Sequence, residues 1–240
     1  MTQDPQSLRQ VAIVLVHGAW FGPRCWNPVI RSLEQLGSTP MVVTLRGAGA
    51  RRAENGPHIS LADHIDDVEQ AITSADLHNV VLVGHSYGGR VITGVANRIS
   101  ERLSRLVYID AHAPVVPETP PSDERRQLAN EHGGMLPLVG VDFDLELVGD
   151  ADEYALARSE IVDHPFSTLC GPWHQPLAEH LVLHYIHATG RDAAPFAPYA
   201  VAAKANARWR YTQLDGPHML QYTHPNELAS IIVDVDRIDS

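Results

Sequence analysis

The stretch Val80-Val81-Leu82-Val83-Gly84-His85-Ser86-Tyr87-Gly88-Gly89 decides the fold that we predict for this chain. Its first four residues are apolar and three of them are β-branched, which predicts a buried strand. The next five residues fit the pattern G-x-S-x-G, and residues 90–98 predict a helix. A serine between a buried strand and a helix is typical of the sharp turn that presents a nucleophilic hydroxyl.

The geometry of this turn is the reason that we expect for the glycines on either side of Ser86. A serine that points its hydroxyl away from the sheet needs a strained backbone, and we expect side chains at Gly84 and Gly88 to collide with the neighbouring strand and helix. The helix begins directly behind Ser86, so its free N–H groups would face any negative charge that develops there.

Composition limits the classes of partner. The chain has 240 residues, 44% of them hydrophobic, and a formal net charge of −11. This charge argues against nucleic acid and anionic membranes as partners, since both require basic patches. Residues 1–10 are polar and no apolar run approaches the ~20 residues of a membrane span, so we expect neither a signal peptide nor a membrane helix. Cys25 and Cys170 are expected to be free thiols in a reducing cytoplasm.

Outside residues 112–180 the chain alternates predicted strands and helices. We predict strands at 11–16, 40–45, 80–83, 103–110, 182–187 and 208–214, and further helices at 23–36, 61–74, 198–206 and 225–235. Ser60 is a candidate N-cap with Asp63 three positions on. Acidic side chains near the start of that helix, Asp67 among them, are interpreted as surface residues rather than metal ligands.

Residues 112–180 interrupt this rhythm: four prolines open the segment, at positions 114, 117, 120 and 121, and short helical patterns follow. We interpret them as a small inserted lid over the strand ends. Five side chains are candidates for the apolar wall of a substrate pocket: Trp20, Met135, Phe143, Phe166 and Trp173. Those within the insert could equally form its own small core.

A serine hydroxyl needs a base, and His218 is the leading candidate because it follows the last strand and precedes the last helix. His174, His184 and His224 are interpreted as surface or packing residues. Two acids, Asp110 and Asp192, follow strands between the serine and this histidine.

A backbone N–H after the first strand is where an oxyanion donor belongs in a hydrolase of this layout. We predict the amides of Ala19 and Tyr87 as the two donors, although His17-Gly18 could also be only a turn.

These motifs resemble the α/β-hydrolase family. The resemblance rests on His17-Gly18-Ala19-Trp20, on Gly84–Gly89, on Tyr108-Ile109-Asp110 and on Gly216-Pro217-His218. More narrowly, the chain is similar to small bacterial esterases, and also to plant methyl-ester esterases, hydroxynitrile lyases and zearalenone-type lactonases. The resemblance implies an α/β-hydrolase fold, a mostly parallel sheet with helices on both faces, with a core formed by residues 1–111 and 181–240 and a lid at 112–180. It also implies a Ser–His–acid triad without cofactor or metal.

The resemblance leaves the acid open. In the plant branch the acid follows the later strand, which implies Asp192, whereas the bacterial and lactonase branches imply Asp110. We favour Asp110, because the segment around Asp192 carries extra residues relative to the bacterial relatives.

The expected function is hydrolysis of an ester, lactone or carbamate bond of a small apolar molecule by a cytoplasmic monomer or homodimer. A hydroxynitrile-lyase-like addition and elimination is an alternative, but that branch uses a lysine in the site and the only lysine here, Lys204, lies on a late helix. A catalytically silent protein that binds a hormone-like ligand is a third possibility.

Overall fold

The computed structural model describes residues 11–138, 150–173, 175–190 and 195–234. Its main feature is a sheet of six parallel strands in the order β2-β1-β3-β4-β7-β8. These strands are β1 (Ala12–Val16), β2 (Met41–Val43), β3 (Val80–His85), β4 (Leu103–Ile109), β7 (Val182–Ala188) and β8 (Trp209–Leu214). The predicted parallel sheet is therefore confirmed, with strand ends that differ by a few residues.

The central strands consist mainly of apolar residues because the sheet is buried on both faces. In β1, Val14 and Val16 join the hydrophobic core on one face. Ile13 and Leu15 join the core on the opposite face. The apolar residues of β3 and β4 alternate between the two cores in the same way, so apolar side chains are needed on both faces of these strands.

Helices cover both faces. They are α1 (Asn27–Gln35), α2 (Leu61–Ser74), α3 (Gly88–Ile99), α4 (Asp123–Glu131), α5 (Ala151–Ser159), α6 (Ala197–Ala205), α7 (Leu220–Thr223) and α8 (Pro225–Val233). Helices α2, α3 and α6 contribute to one core, and α1 and α8 to the other. None of the helices in the described ranges is both long and apolar enough to cross a lipid bilayer.

The predicted insert holds α4, α5, a 3-10 helix at Phe166–Leu169 and a small antiparallel pair of β5 (Met135–Leu136) with β6 (His164–Pro165). Its buried side chains Leu136, Phe166 and Trp173 belong to the same core as α2 and α3. The helical character predicted for this segment is thus present, and its role as a lid stays a prediction.

The start of α2 shows one prediction confirmed and one corrected. Ser60 caps the helix, its side chain accepting from the Asp63 N–H while Asp63 accepts from the Ser60 N–H. Asp67, predicted to be a surface residue, is buried. Arg46 and Arg51 fold over its carboxylate, at 3.4 and 2.8 Å. A loop distant along the chain therefore removes this carboxylate from water, which helix periodicity alone does not reveal.

The strand order brings the loops that carry Ser86, Asp110 and His218 to one edge of the sheet. Val16 is in register with Gly84, and His85 with Ile109. On the other side, Ala188 of β7 is in register with Leu214 of β8. The residues that follow β1, β3, β4 and β8 therefore meet at the carboxyl edge, where open parallel sheets place their sites.

Candidate active site

Ser86 lies in the turn between β3 and α3 with a left-handed backbone, φ 56°. Its N–H donates to the Ile109 carbonyl at 3.1 Å, and its own carbonyl accepts from the His112 N–H at 3.2 Å. A left-handed φ is unfavourable for a residue other than glycine, and it persists here because the ends of two strands fix the turn. The strained serine that the motif predicts is therefore present.

The two glycines that flank Ser86 allow close backbone contacts. A Cβ on Gly84 would lie 2.8 Å from the Gly88 carbonyl, and a Cβ on Gly88 would lie 2.9 Å from the carbonyl oxygens of Val16 and His17. Both distances are shorter than a Cβ tolerates, so the steric reason predicted for these glycines is confirmed.

His218 and Asp110 form a hydrogen-bonded pair across the sheet edge. The distance from His218 Nδ1 to Asp110 Oδ2 is 2.6 Å, and Asp110 is fully buried. Because an ionised carboxylate can only accept, Nδ1 carries the proton and Nε2 of the neutral ring is left as an acceptor. Of the two predicted acids, Asp110 is thus the one that contacts His218, while Asp192 lies outside the described residues.

Neighbouring strands hold the Asp110 backbone. The Asp110 N–H donates to the Ile186 carbonyl at 2.7 Å, and Asp110 has a positive φ of 39°. The hydroxyl of Tyr185 accepts from the Ala111 N–H and donates to the Ala111 carbonyl, at 3.1 and 3.0 Å. The carboxylate therefore has a fixed position relative to the sheet.

His85 connects the serine turn to the His218 loop, a contact that the sequence reasoning missed. Its Nε2–H donates to the His218 carbonyl at 3.0 Å, and the two imidazole rings lie 4.5 Å apart. Burial lowers the pKa of His85 well below 6.5, and a charge on His218 would lower it further. A neutral His85 therefore links the His218 loop to the turn that carries Ser86.

Phe196 completes the surroundings of His218. Its ring stacks on the imidazole with centroids 4.9 Å apart and planes only 2° from parallel. The ring of His112 meets Phe196 edge-on at 5.1 Å and hydrogen-bonds to the Tyr199 hydroxyl at 2.9 Å. No sequence signal marks Phe196, because its contact with His218 depends on the tertiary fold, which brings the start of α6 to the loop after β8.

The loop after β1 lies against the serine. A Cβ on Gly18 would lie 3.0 Å from the Ser86 Cβ, so the backbone at Ala19 is close to the nucleophile. Within the described residues, neither the Ala19 nor the Tyr87 N–H donates to a hydrogen-bond acceptor. Both amides are therefore available to an oxyanion, the condition for the predicted donors.

The His17 side chain links the loop after β1 to the backbone that follows β2. Its Nε2 accepts from the Leu45 N–H at 3.3 Å, so Nδ1 carries the proton and donates to the Gly18 carbonyl at 2.9 Å. Burial lowers the pKa of His17 to about 4. The imidazole is therefore neutral at neutral pH and holds the segment in place by two hydrogen bonds.

The predicted pocket residues lie at different distances from this centre. Trp173 faces His112 edge-on at 6.1 Å, which places its ring beside the site. The Trp20 indole N–H donates to the Leu136 carbonyl at 2.8 Å and so links the β1 loop to the insert. Met135 pairs with Pro165 in the small sheet. Phe166 belongs to the core shared with α2 and α3, and Phe143 lies outside the described residues.

Three of the remaining predicted residues have partners other than the proposed triad. Lys204 is exposed on α6 with Nζ 5.4 Å from the ring of Tyr211. His184 is buried, and its Nδ1 lies 2.6 Å from an Nη of Arg105 beneath α8. His224 hydrogen-bonds to the adjacent Thr223, and His174 lies outside the described residues.

Comparison with known proteins agrees with this fold. The sequence pattern of a family described as "Alpha/beta hydrolase family" matches residues 13–231. The chain is 30% identical over 235 residues to a carbendazim hydrolyzing esterase of Nocardioides sp. strain SG-4G, covering 90% of this chain and 96% of that protein. It is 34% identical over 107 residues to a putative chloroplastic methylesterase 12 of Arabidopsis thaliana, which covers 44% of this chain and 31% of the plant protein.

Solved structures show the same fold. An extracellular alpha/beta-hydrolase from a Paenibacillus species superposes with a TM-score of 0.74 at 22% identity, covering 95% of this chain and 99% of that one. A pyrethroid hydrolase from Sphingobium faniae JZ-2 superposes with a TM-score of 0.68 at 19% identity, covering 93% of this chain and 96% of that one.

Proposed function

The chain belongs to the alpha/beta hydrolase family, and we propose that it is a serine hydrolase that cleaves an ester, lactone or carbamate bond of a small apolar molecule. The observation that carries the proposal is the 2.6 Å hydrogen bond between His218 and the buried Asp110, held beside the strained Ser86 turn by His85.

In the proposed first step, Ser86 Oγ attacks the substrate carbonyl carbon while its proton passes to His218 Nε2. The charge on the resulting imidazolium is stabilised by Asp110, which also keeps the tautomer that leaves Nε2 free to act as base. The carbonyl oxygen becomes an oxyanion and accepts from the amides of Ala19 and Tyr87.

In the second step, the bond to the leaving-group oxygen breaks and that oxygen takes the proton from His218. A water molecule then attacks the acyl-enzyme, giving its proton to His218 Nε2, and the Ser86–acyl bond breaks with release of the acid while the imidazolium returns the proton to Ser86 Oγ. The base is used twice and ends as it began, so the cycle consumes only substrate and water.

The substrate class draws on the relatives and on the surroundings of the site. The relative that matches over nearly its whole length is named as an esterase for carbendazim, and others are named as methylesterases. The aromatic rings of Phe196 and Trp173 beside His218 and His112 suit a flat, apolar substrate. Lysine-assisted lyase chemistry has less support, because Lys204 is exposed against Tyr211.

Covalent labelling tests the proposal. A fluorophosphonate should label the wild type at Ser86 and inactivate it with matching kinetics. Ser86→Ala should fold, lose the label and hydrolyse p-nitrophenyl esters no faster than buffer. A labelled Ser86→Ala protein, or one that keeps normal ester hydrolysis, would disprove the assignment. A wild type that takes no label would favour the silent ligand-binding alternative.

A further inference from the structure

A cavity lies between α3, the proline-rich segment after β4 and the turn after the 3-10 helix at Phe166–Leu169. Its volume is about 390 Å³, within the range of small-molecule sites. Its wall includes Arg90, Glu118, Pro120, Pro121, Arg126 and Leu169. Apart from the charged groups, this lining offers an apolar surface to a bound molecule.

Arg90 is a buried charged residue in the wall of this cavity. It lies on α3, one helical turn after Ser86, and only 4% of its surface is exposed. One Nη1–H donates to the Leu169 carbonyl at 2.9 Å, and the guanidinium lies 5.2 Å from the ring centre of Trp173. Its Nε–H is buried without an acceptor, and burial lowers its pKa.

The guanidinium also has no carboxylate partner. Among the described residues no Asp or Glu lies within ion-pair distance of Arg90. Glu118 lines the same cavity and is near enough to stabilise the charge weakly, but its Oε1 accepts from the Trp173 N–H at 2.8 Å. A buried cation that keeps unused donors is costly unless an anion completes it.

The net charge of the cavity wall favours such an anion. Arg90 and Arg126 are positive and Glu118 is negative, so these three groups leave one excess positive charge. The Arg126 guanidinium lies 5.8 Å from the Phe166 ring centre and is exposed to solvent, whereas Arg90 is buried.

We propose that this cavity binds a small organic carboxylate, with its charged group on the Arg90 guanidinium and its apolar body against Pro120, Pro121 and Leu169. A guanidinium binds a carboxylate through two parallel N–H donors, a stronger arrangement than a single neutral hydrogen bond. Binding here needs no chemistry at Ser86, so the proposal does not depend on the hydrolase assignment.

Calorimetry on the Ser86→Ala protein separates binding from turnover. Titration with benzoate should show one site, and titration with benzamide, which has the same shape without the charge, should show at least tenfold weaker binding. Equal binding of benzoate and benzamide, or no binding of benzoate at millimolar concentration, would overturn the proposal.

Variants in the same background locate the site. Arg90→Met should weaken benzoate binding at least tenfold. Arg98→Met removes the same charge from the same helix, and because Arg98 already pairs with Asp66 and Glu69, benzoate binding should not change. Equal weakening by both substitutions would show diffuse electrostatics and refute a site at Arg90.

Glu118→Gln provides a second variant in case Arg90→Met does not fold. The glutamine keeps an oxygen that can accept from the Trp173 backbone N–H and removes a negative charge from the cavity wall, so benzoate should bind severalfold more tightly. Unchanged or weaker binding would contradict a carboxylate on Arg90.

Discussion

Asp110→Asn is the most informative perturbation of the proposed triad. Asparagine has the same shape as aspartate and tolerates the positive φ of 39° at this position, so the fold should survive. What changes is the charge 2.6 Å from His218 Nδ1 in a fully buried position. The substitution therefore tests the electrostatic contribution of the carboxylate and little else.

The expected loss can be estimated from this geometry. Two unit charges about 4 Å apart interact by about 4 kcal/mol at an effective dielectric constant of ~20. An asparagine can also favour the wrong imidazole tautomer, and in a serine protease triad the equivalent change reduces kcat about 10⁴-fold. We therefore expect kcat of Asp110→Asn to fall by about 10³- to 10⁴-fold.

The assay is hydrolysis of p-nitrophenyl acetate at neutral pH, with kcat and KM determined separately. KM should change little, because the imidazolium charge that Asp110 stabilises develops only in the transition state. Asp192→Asn is the matched control and should retain wild-type kcat. Wild-type kcat in Asp110→Asn together with a large loss in Asp192→Asn would refute the assignment of the acid.

Further predictions follow from individual contacts. His85→Phe should lower kcat by about tenfold or more, since it removes the donor to the His218 carbonyl. His85→Gln should recover part of the loss in kcat and restore the wild-type pH profile. Equal kcat in the wild type and both variants would exclude a positioning role for His85. Gly88→Ala should destabilise the protein by about 1–3 kcal/mol in urea unfolding, because the new Cβ meets two backbone carbonyls at 2.9 Å; an unchanged midpoint would contradict this packing. The free energy of unfolding should fall as the pH decreases from about 6.5 to about 4, because the unfolded state gains a proton on His17 that the folded state, with a pKa of about 4, does not. Burial lowers the pKa of other histidines as well, His85 and His112 among them. His17→Gln should therefore reduce the slope without abolishing it, and identical curves would show that His17 does not contribute. Lys204→Ala should leave the rate of ester hydrolysis unchanged, and a large loss of activity would favour the lyase alternative.

The strands, the helices and the serine turn could be predicted from the sequence because their causes are local. A run of β-branched residues favours a strand wherever it lies, and Ser60 with Asp63 caps a helix through contacts only three residues apart. Gly84 indicates a tight turn because a Cβ there would meet the Gly88 carbonyl only four residues along the chain. These features depend on neighbours along the chain.

Only the tertiary structure decided which groups surround the base. Asp110 and His218 are 108 positions apart, and their contact depends on β4, β7 and β8 lying side by side so that the loops after β4 and β8 meet. The stacking of Phe196 on His218 and the burial of Asp67 likewise arise when distant loops fold over a site. Strand order and loop path determine such contacts, and neither is encoded in the periodicity of a single segment.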